Sequence, residues 1–191
     1  MRLSFGGPLR PLVSVITSAI PERAELLDEC RASVMGQVVD VPCEHLIHVD
    51  YERRGCAWVV NHLAEQAQGE WLLPLADDDL LLPGAIRTLL ASSEEADVVY
   101  SPPLVWNNGD THFYGEPPMI PSTALIRTSL WRELDGYAQG ITREEDRSFW
   151  VKAVAQGARF VRADEHPTWI YRFHRRESPH QNKSYHGGTA T

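Results

Sequence analysis

Short apolar runs rich in β-branched residues alternate, along the first half of the chain, with longer stretches whose apolar residues recur every three or four positions. PLVSVIT (11–17) has the length and composition of a buried strand. Behind it, IPERAELLDECRASVMGQ carries proline near a helix start and apolar side chains at Leu26, Leu27, Cys30 and Val34, which is helical spacing. EHLIHVD predicts a second strand ending on Asp50, and after the turn YERRG the segment CAWVVNHLAEQAQ predicts a second helix closed by Gly69. EWLLPLA predicts a third, buried strand and LLPGAIRTLLASSEEA a third helix. This alternation predicts an α/β fold with a mostly parallel, twisted sheet flanked by helices.

Beyond DVVYSPPLVW the pattern loosens. NNGDTHFYGEPPMIPS is rich in turn formers and predicts a small antiparallel hairpin and loop region over the sheet. STALIRTSLWRELDGY predicts a strand and a short helix, EEDRSFWVKAVAQGARFVRA a helix ending at Gly157 and a further strand, and TWIYRFHRR a last strand. The expected organisation is a single domain over residues 1–184 and a flexible tail over 185–191, HGGTAT included.

Composition changes the picture only by exclusion. At 191 residues, 43% apolar and 23% charged, the chain suits one soluble globular domain. A net charge of −8 argues against a nucleic-acid groove or an anionic membrane as the main partner, YRFHRRE being a local basic patch. No stretch reaches the roughly 20 apolar residues of a membrane span, and the N-terminus lacks the pattern of a secretory leader, so the expected location is the cytoplasm. Cys30, Cys43 and Cys56 form no CxxC pair, which predicts reduced thiols, mostly small buried hydrophobes.

The chemistry concentrates in LLPLADDDLLLP (72–83), where Asp77, Asp78 and Asp79 stand between two leucine runs. Adjacent carboxylates in apolar surroundings must be hydrated, paired or bound to a cation. In open parallel sheets ligands collect at the carboxyl ends of the strands, the edge where this triplet, Asp50 and the 17–23 loop all fall. One aspartate suffices to cap a helix. Three point instead to a divalent cation such as Mg²⁺ or Mn²⁺, completed by substrate phosphates. His45 and His48, three apart in a strand pattern, face opposite sides and form no clamp.

PLVSVIT…ELLDECRASVMGQ, HLIHVD, NHLAEQAQGEWLLPLADDDLLLPGAI and EEDRSFWVKAVAQGARFV together resemble, in order and over residues 12–184, the family-2 glycosyltransferases with the GT-A fold. That resemblance implies a GT-A-like domain that binds a nucleotide-diphosphate sugar and transfers the sugar, with inversion, to the hydroxyl of an acceptor the sequence does not identify. It implies that Thr17, Ser18 and Asp50 hold the base and ribose, with Asp77 on the ribose or phosphate side. Asn61 matches an asparagine common in the second helix, a helix-surface amide being the other reading. Asp78, with Asp79 beside it, is implied as a ligand of Mn²⁺ or Mg²⁺, and His174 as a metal ligand or a hydrogen-bond partner of the diphosphate. Arg172 or Arg175 is implied to offset leaving-group charge through its forked donors. Ala76 stands where many members carry an acid. The Glu145–Asp146 pair resembles the family's catalytic acids, Asp146 the general base, although on residue type alone the pair reads equally as helix N-terminal charge and Glu144 leaves the register open by one. Trp106 and Tyr114 are candidate acceptor contacts or aromatics buried under the loop. A sugar-phosphate nucleotidyltransferase needs a glycine-rich basic phosphate loop, and FGGPLRP precedes the first strand. Ala76 favours the third alternative, a non-catalytic nucleotide-sugar or glycan-binding module.

Overall fold

Strand β2 (Val13–Ala19) is buried along nearly its whole length because it lies inside the sheet with parallel neighbours on both sides, β3 (Cys43–Val49) and β4 (Trp71–Pro74). The structure is a computed structural model, and it describes residues 1–5, 10–37, 41–107, 110–113, 121–140, 144–163 and 166–173. The sheet is completed by β1 (Arg2–Phe5), β6 (Val98–Tyr100), β9 (Ala124–Arg127) and β10 (Phe160–Arg162), in the order β1-β3-β2-β4-β9-β6-β10. Strands β3, β2, β4, β6 and β10 run one way, and β1 and β9 run against them.

Helices α1 (Ala24–Met35) and α3 (Ala85–Ala91) cover one face of this sheet, and α2 (Cys56–Gln66), α4 (Thr128–Glu133) and α5 (Glu145–Ala155) cover the other. Because successive strand residues point to opposite faces, Leu73 packs with Cys30, Val34, Ile86 and Leu89, whereas its neighbour Leu72 packs with Val59, Leu63, Trp131 and Phe149. Both leucines are fully buried, and this explains why EWLLPLA reads as an unbroken apolar run.

A second, four-stranded sheet is ordered β5-β11-β7-β8, from β5 (Leu80–Leu81), β7 (Pro103–Asn107), β8 (Asp110–Phe113) and β11 (Trp169–Arg172). The β7–β8 antiparallel pair is the hairpin expected within the turn-rich segment.

Three features depart from the sequence reading. RLSF forms an antiparallel edge strand on β3, and Leu81, expected to open the third helix, pairs with β11 together with Leu80 while that helix begins at Ala85. The second helix stops at Gln66; Gly69 serves a close chain crossing, where a Cβ would stand 2.6 Å from the Ser14 backbone nitrogen. In accord with the expectation of mostly buried thiols, Cys30 and Cys43 are buried and Cys56 is exposed. The tail at 185–191 lies outside the described residues.

Candidate active site

The carboxyl ends of β2, β3 and β4 open onto a cavity of about 610 Å³. Its walls include Ser18, Asp50, the Asp77–Asp78–Asp79 triplet, Glu145 and Asp146, drawn from four separate stretches of chain. The triplet occupies the tight turn between β4 and β5, closed by the Asp79 amide donating to the Ala76 carbonyl at 3.2 Å, so it sits where the large sheet hands over to the small one.

Asp77 and Asp78 share Arg23, whereas Asp79 is held by the Arg172 amide. Asp77 is 3% exposed; its Oδ2 accepts the Ile20 amide at 3.0 Å and its Oδ1 accepts Arg23 Nη1 at 3.0 Å. The same Nη1 lies 2.8 Å from Asp78 Oδ2. Asp79, 1% exposed, accepts the Arg172 amide of β11 at 2.9 Å. Burial raises the Asp77 carboxyl above its ordinary range, and burial followed by the charge of Asp78 raises Asp79 well above it. Arg23, at the end of a 3-10 turn (Pro21–Arg23), is held protonated by Asp78 and Asp77 against the opposing effect of its own burial.

Asp50 is 4% exposed and directs both carboxylate oxygens at backbone donors, Oδ1 to the Arg54 amide at 3.0 Å and Oδ2 to the Gly55 amide at 2.8 Å. It thereby fixes the loop that enters α2, where Gly55 takes φ 94°. Arg54 stacks on Trp58 with its guanidinium carbon 4.2 Å from the ring centre, and both residues line the cavity. Ser18 also lines it. Thr17 does not: it faces the other side of β2, with Oγ1 2.9 Å from Nε2 of buried His45. Burial depresses the His45 pKa to about 3, so this ring is neutral at ordinary pH. His48 lies instead in an edge-on ring contact with Trp58, in accord with the opposite facing of the two histidines.

Asn61 lies off the cavity wall and makes a two-bond clamp. Its Nδ2 donates to the Tyr137 carbonyl at 2.8 Å and its Oδ1 accepts the Tyr137 amide at 2.9 Å. Tyr137 lines the cavity and packs on Trp131 and Phe149.

Glu145 and Asp146 form the first turn of α5, behind Glu144 in a left-handed conformation at φ 55°. Asp146 Oδ1 accepts the Arg147 amide at 2.8 Å. Burial raises the Asp146 carboxyl, the neighbouring charges of Glu145 and Glu144 add to this, and the Arg147 amide opposes it.

Sequence reasoning missed Arg23, Arg54, Trp58, Tyr137 and Tyr171 as cavity residues. No local signal marks them, apart from the Arg-Gly-Cys-Ala-Trp run at the mouth of α2. Arg172 lines the cavity, whereas Trp106 sits half-buried on β7 away from it. His174, Arg175 and Tyr114 lie outside the described residues.

Carboxylate oxygen is the donor type that hard divalent cations accept, and Asp78 and Asp79 both line the cavity wall. Among the described residues, no group of three or more His, Cys, Asp and Glu side chains is arranged to hold a metal ion. A cation at this position therefore fits as a partly liganded ion that takes the rest of its shell from a bound molecule. Among the described residues, no helix is long and apolar enough to cross a membrane.

No curated protein matches the chain. Among solved structures, residues 1–349 of TarS from S. aureus in complex with UDP-GlcNAc superpose with a TM-score of 0.76 at 18% identity, covering 91% of this chain and 61% of that one. The same protein in complex with UDP gives a TM-score of 0.71 at 16% identity, over 84% of this chain and 60% of that one. The mannosyltransferase PcManGT from Pyrobaculum calidifontis, in complex with GDP-Man and Mn²⁺, gives 0.64 at 16% identity, over 90% and 59%. At such identities the likeness is one of fold, and this chain spans about six-tenths of the length of those structures. The family model described as Glycosyl transferase family 2 matches residues 43–146, more than half of the chain, from the start of β3 through the triplet to Asp146; the chain belongs to glycosyl transferase family 2.

Proposed function

We propose that this chain transfers a sugar from a nucleotide-diphosphate sugar to an acceptor hydroxyl, with inversion and with Asp146 as general base. The observation that carries the reading is that the acid triplet and the Glu145–Asp146 pair, 66 or more positions apart in the chain, line one cavity at the carboxyl edge of the sheet. TarS binding UDP-GlcNAc and PcManGT binding GDP-Man with Mn²⁺ on the same fold support a nucleotide-sugar donor.

In this reading Asp50 and Ser18 lie at the base and ribose end, where the Asp50-anchored loop and the Arg54–Trp58 stack give a rigid rim. Asp77 keeps the Ile20 amide and Arg23 in place and so shapes the floor beneath the diphosphate. Asp78 and Asp79 would hold Mn²⁺ or Mg²⁺, which when bound supplies positive charge for the leaving diphosphate. Asp146 takes the proton of the acceptor hydroxyl through the oxygen left over from its bond to the Arg147 amide. Its raised pKa makes it a stronger base once ionised, and Glu145, beside it, helps set that basicity. Thr17 acts only through His45 and β2, and Asn61 only through Tyr137.

Asp146→Asn tests the assignment, because the amide keeps the acceptor for the Arg147 N–H but is no base. Transfer should fall by about 10²-fold or more while donor binding, titrated separately, stays within about twofold. Turnover at the wild-type rate would reject Asp146 as the base. Intact donor binding with no donor cleavage by the wild-type chain, whatever acceptor is offered, would leave a binding module.

A further inference from the structure

We infer that Arg23 is a resident counter-cation of the acid triplet, which holds the site against a lone metal ion and releases it when a diphosphate arrives. The inference rests on the donor-site reading above and adds an order of events to it.

One atom, Nη1, serves both Asp77 Oδ1 at 3.0 Å and Asp78 Oδ2 at 2.8 Å. The guanidinium thus spans the carboxylate at which a divalent ion would sit, and two cations sharing Asp78 repel one another. Arg23 also lines the cavity, its side chain is 17% exposed, and among the described residues Nε and Nη2 have no hydrogen-bond partner. Those donors suit an anionic oxygen, since a guanidinium presents a fork that matches phosphate. Asp77 does not depend on Arg23 alone, because its Oδ2 is held by the Ile20 amide. The arginine can therefore turn from Asp78 towards a phosphate without undoing the loop.

The thermodynamic consequence is coupling. A metal ion entering alone must displace Arg23 from Asp78, and the guanidinium then keeps only its bond to Asp77 among the described residues. With diphosphate present, Arg23 gains a new partner and the ion gains phosphate ligands, so each ligand tightens the other by the same factor.

The probes are Mn²⁺, followed by electron paramagnetic resonance of the free ion, and uridine or guanosine diphosphate, followed by calorimetry with chelator or with Mn²⁺. Wild type is expected to bind Mn²⁺ alone weakly and at least tenfold more tightly with a diphosphate. R23M should bind Mn²⁺ alone about tenfold more tightly than wild type. It should bind diphosphate without metal about tenfold more weakly, for loss of a charge-assisted donor. R23K, which keeps the charge, should stay near wild type for Mn²⁺ alone.

Opposite signs for the two ligands in R23M support the counter-cation, because a merely unfolded or loosened site loses both. Wild type that binds both ligands without coupling overturns the inference, and so does folded R23M with unchanged or weaker binding of Mn²⁺ alone. Neither outcome touches the donor reading. Wild type that binds neither probe, alone or together, overturns both.

Discussion

Asp77, Asp79 and Asp146 share one electrostatic condition: burial is the largest influence on each carboxyl, and it acts to favour the protonated form. A carboxyl whose pKa is raised on folding binds its proton more tightly in the native than in the unfolded chain. Its favourable contribution is then complete below the ordinary value of 3.8 and is lost as pH climbs through the raised one. Wherever pH ionises such a group it does so at the expense of stability, a condition that clusters at functional sites. Asp79→Asn removes the charge that Asp78 opposes and keeps an acceptor for the Arg172 amide. With chelator present, it should flatten the fall of stability as pH rises from the ordinary carboxyl value through the raised one, and raise Tm by a few degrees beyond it. A thermal-denaturation series against pH reads both, and a lower Tm with an unchanged slope would mean that the triplet is already neutralised in the folded chain. The acids were legible in the sequence because charge in an apolar run is costly wherever it occurs. Arg23 was not, because its pairing spans 54 positions and follows from the fold alone. Thr17 and Ser18 were read together although strand alternation sends them to opposite faces, which a one-residue register decides.

Among elements, the turn between α4 and α5 is secured from both sides. Asn61 of α2 grips the Tyr137 backbone, and Lys152 of α5 donates to the Gly136 carbonyl at 2.6 Å. Gly136, at φ 55°, is the residue that permits this, for a Cβ there would come within 2.3 Å of Asn61 Oδ1. Asn61→Ala strands a backbone donor and acceptor at Tyr137 and should cost about 1–3 kcal/mol in urea or guanidinium unfolding. Because Tyr137 walls the cavity, weaker substrate binding should accompany the loss. Unaltered stability would show that water replaces the amide without cost. The helices and central strands were readable because periodicity reports burial directly. The edge strand β1 and the two-residue β5 were not, since RLSF and Leu80–Leu81 owe their conformation to partners on β3 and β11 that no local pattern records. The helix ending at Gln66 was misplaced because Gly69 reads locally as a stop, whereas its lack of a side chain is demanded by Ser14 across the sheet.

At the scale of the molecule, the acid triplet is the joint between the two sheets. β4 delivers it from the large sheet, β5 leaves it for the small one, and Asp79 takes the Arg172 amide of β11, 93 positions away. A ligand bound there touches both sheets and the first turn of α5, so its binding energy should be felt by the whole chain. A ligand that binds only the native state stabilises it by RT ln(1 + [L]/Kd), about 2.7 kcal/mol at 100 times Kd, which for a chain of this size is roughly 5–10 °C in Tm. Uridine or guanosine diphosphate with Mn²⁺ should therefore move a single melting transition, and tryptophan fluorescence and far-UV circular dichroism should report the same midpoint, since Trp131, Trp150 and Trp169 are divided between the two core clusters. If ligand raised the midpoint of one probe and not the other, unfolding would not be two-state and parts of the chain would melt separately. Coincident shifts would mean that the charge gathered at the joint is held in place by the cooperativity of the entire fold.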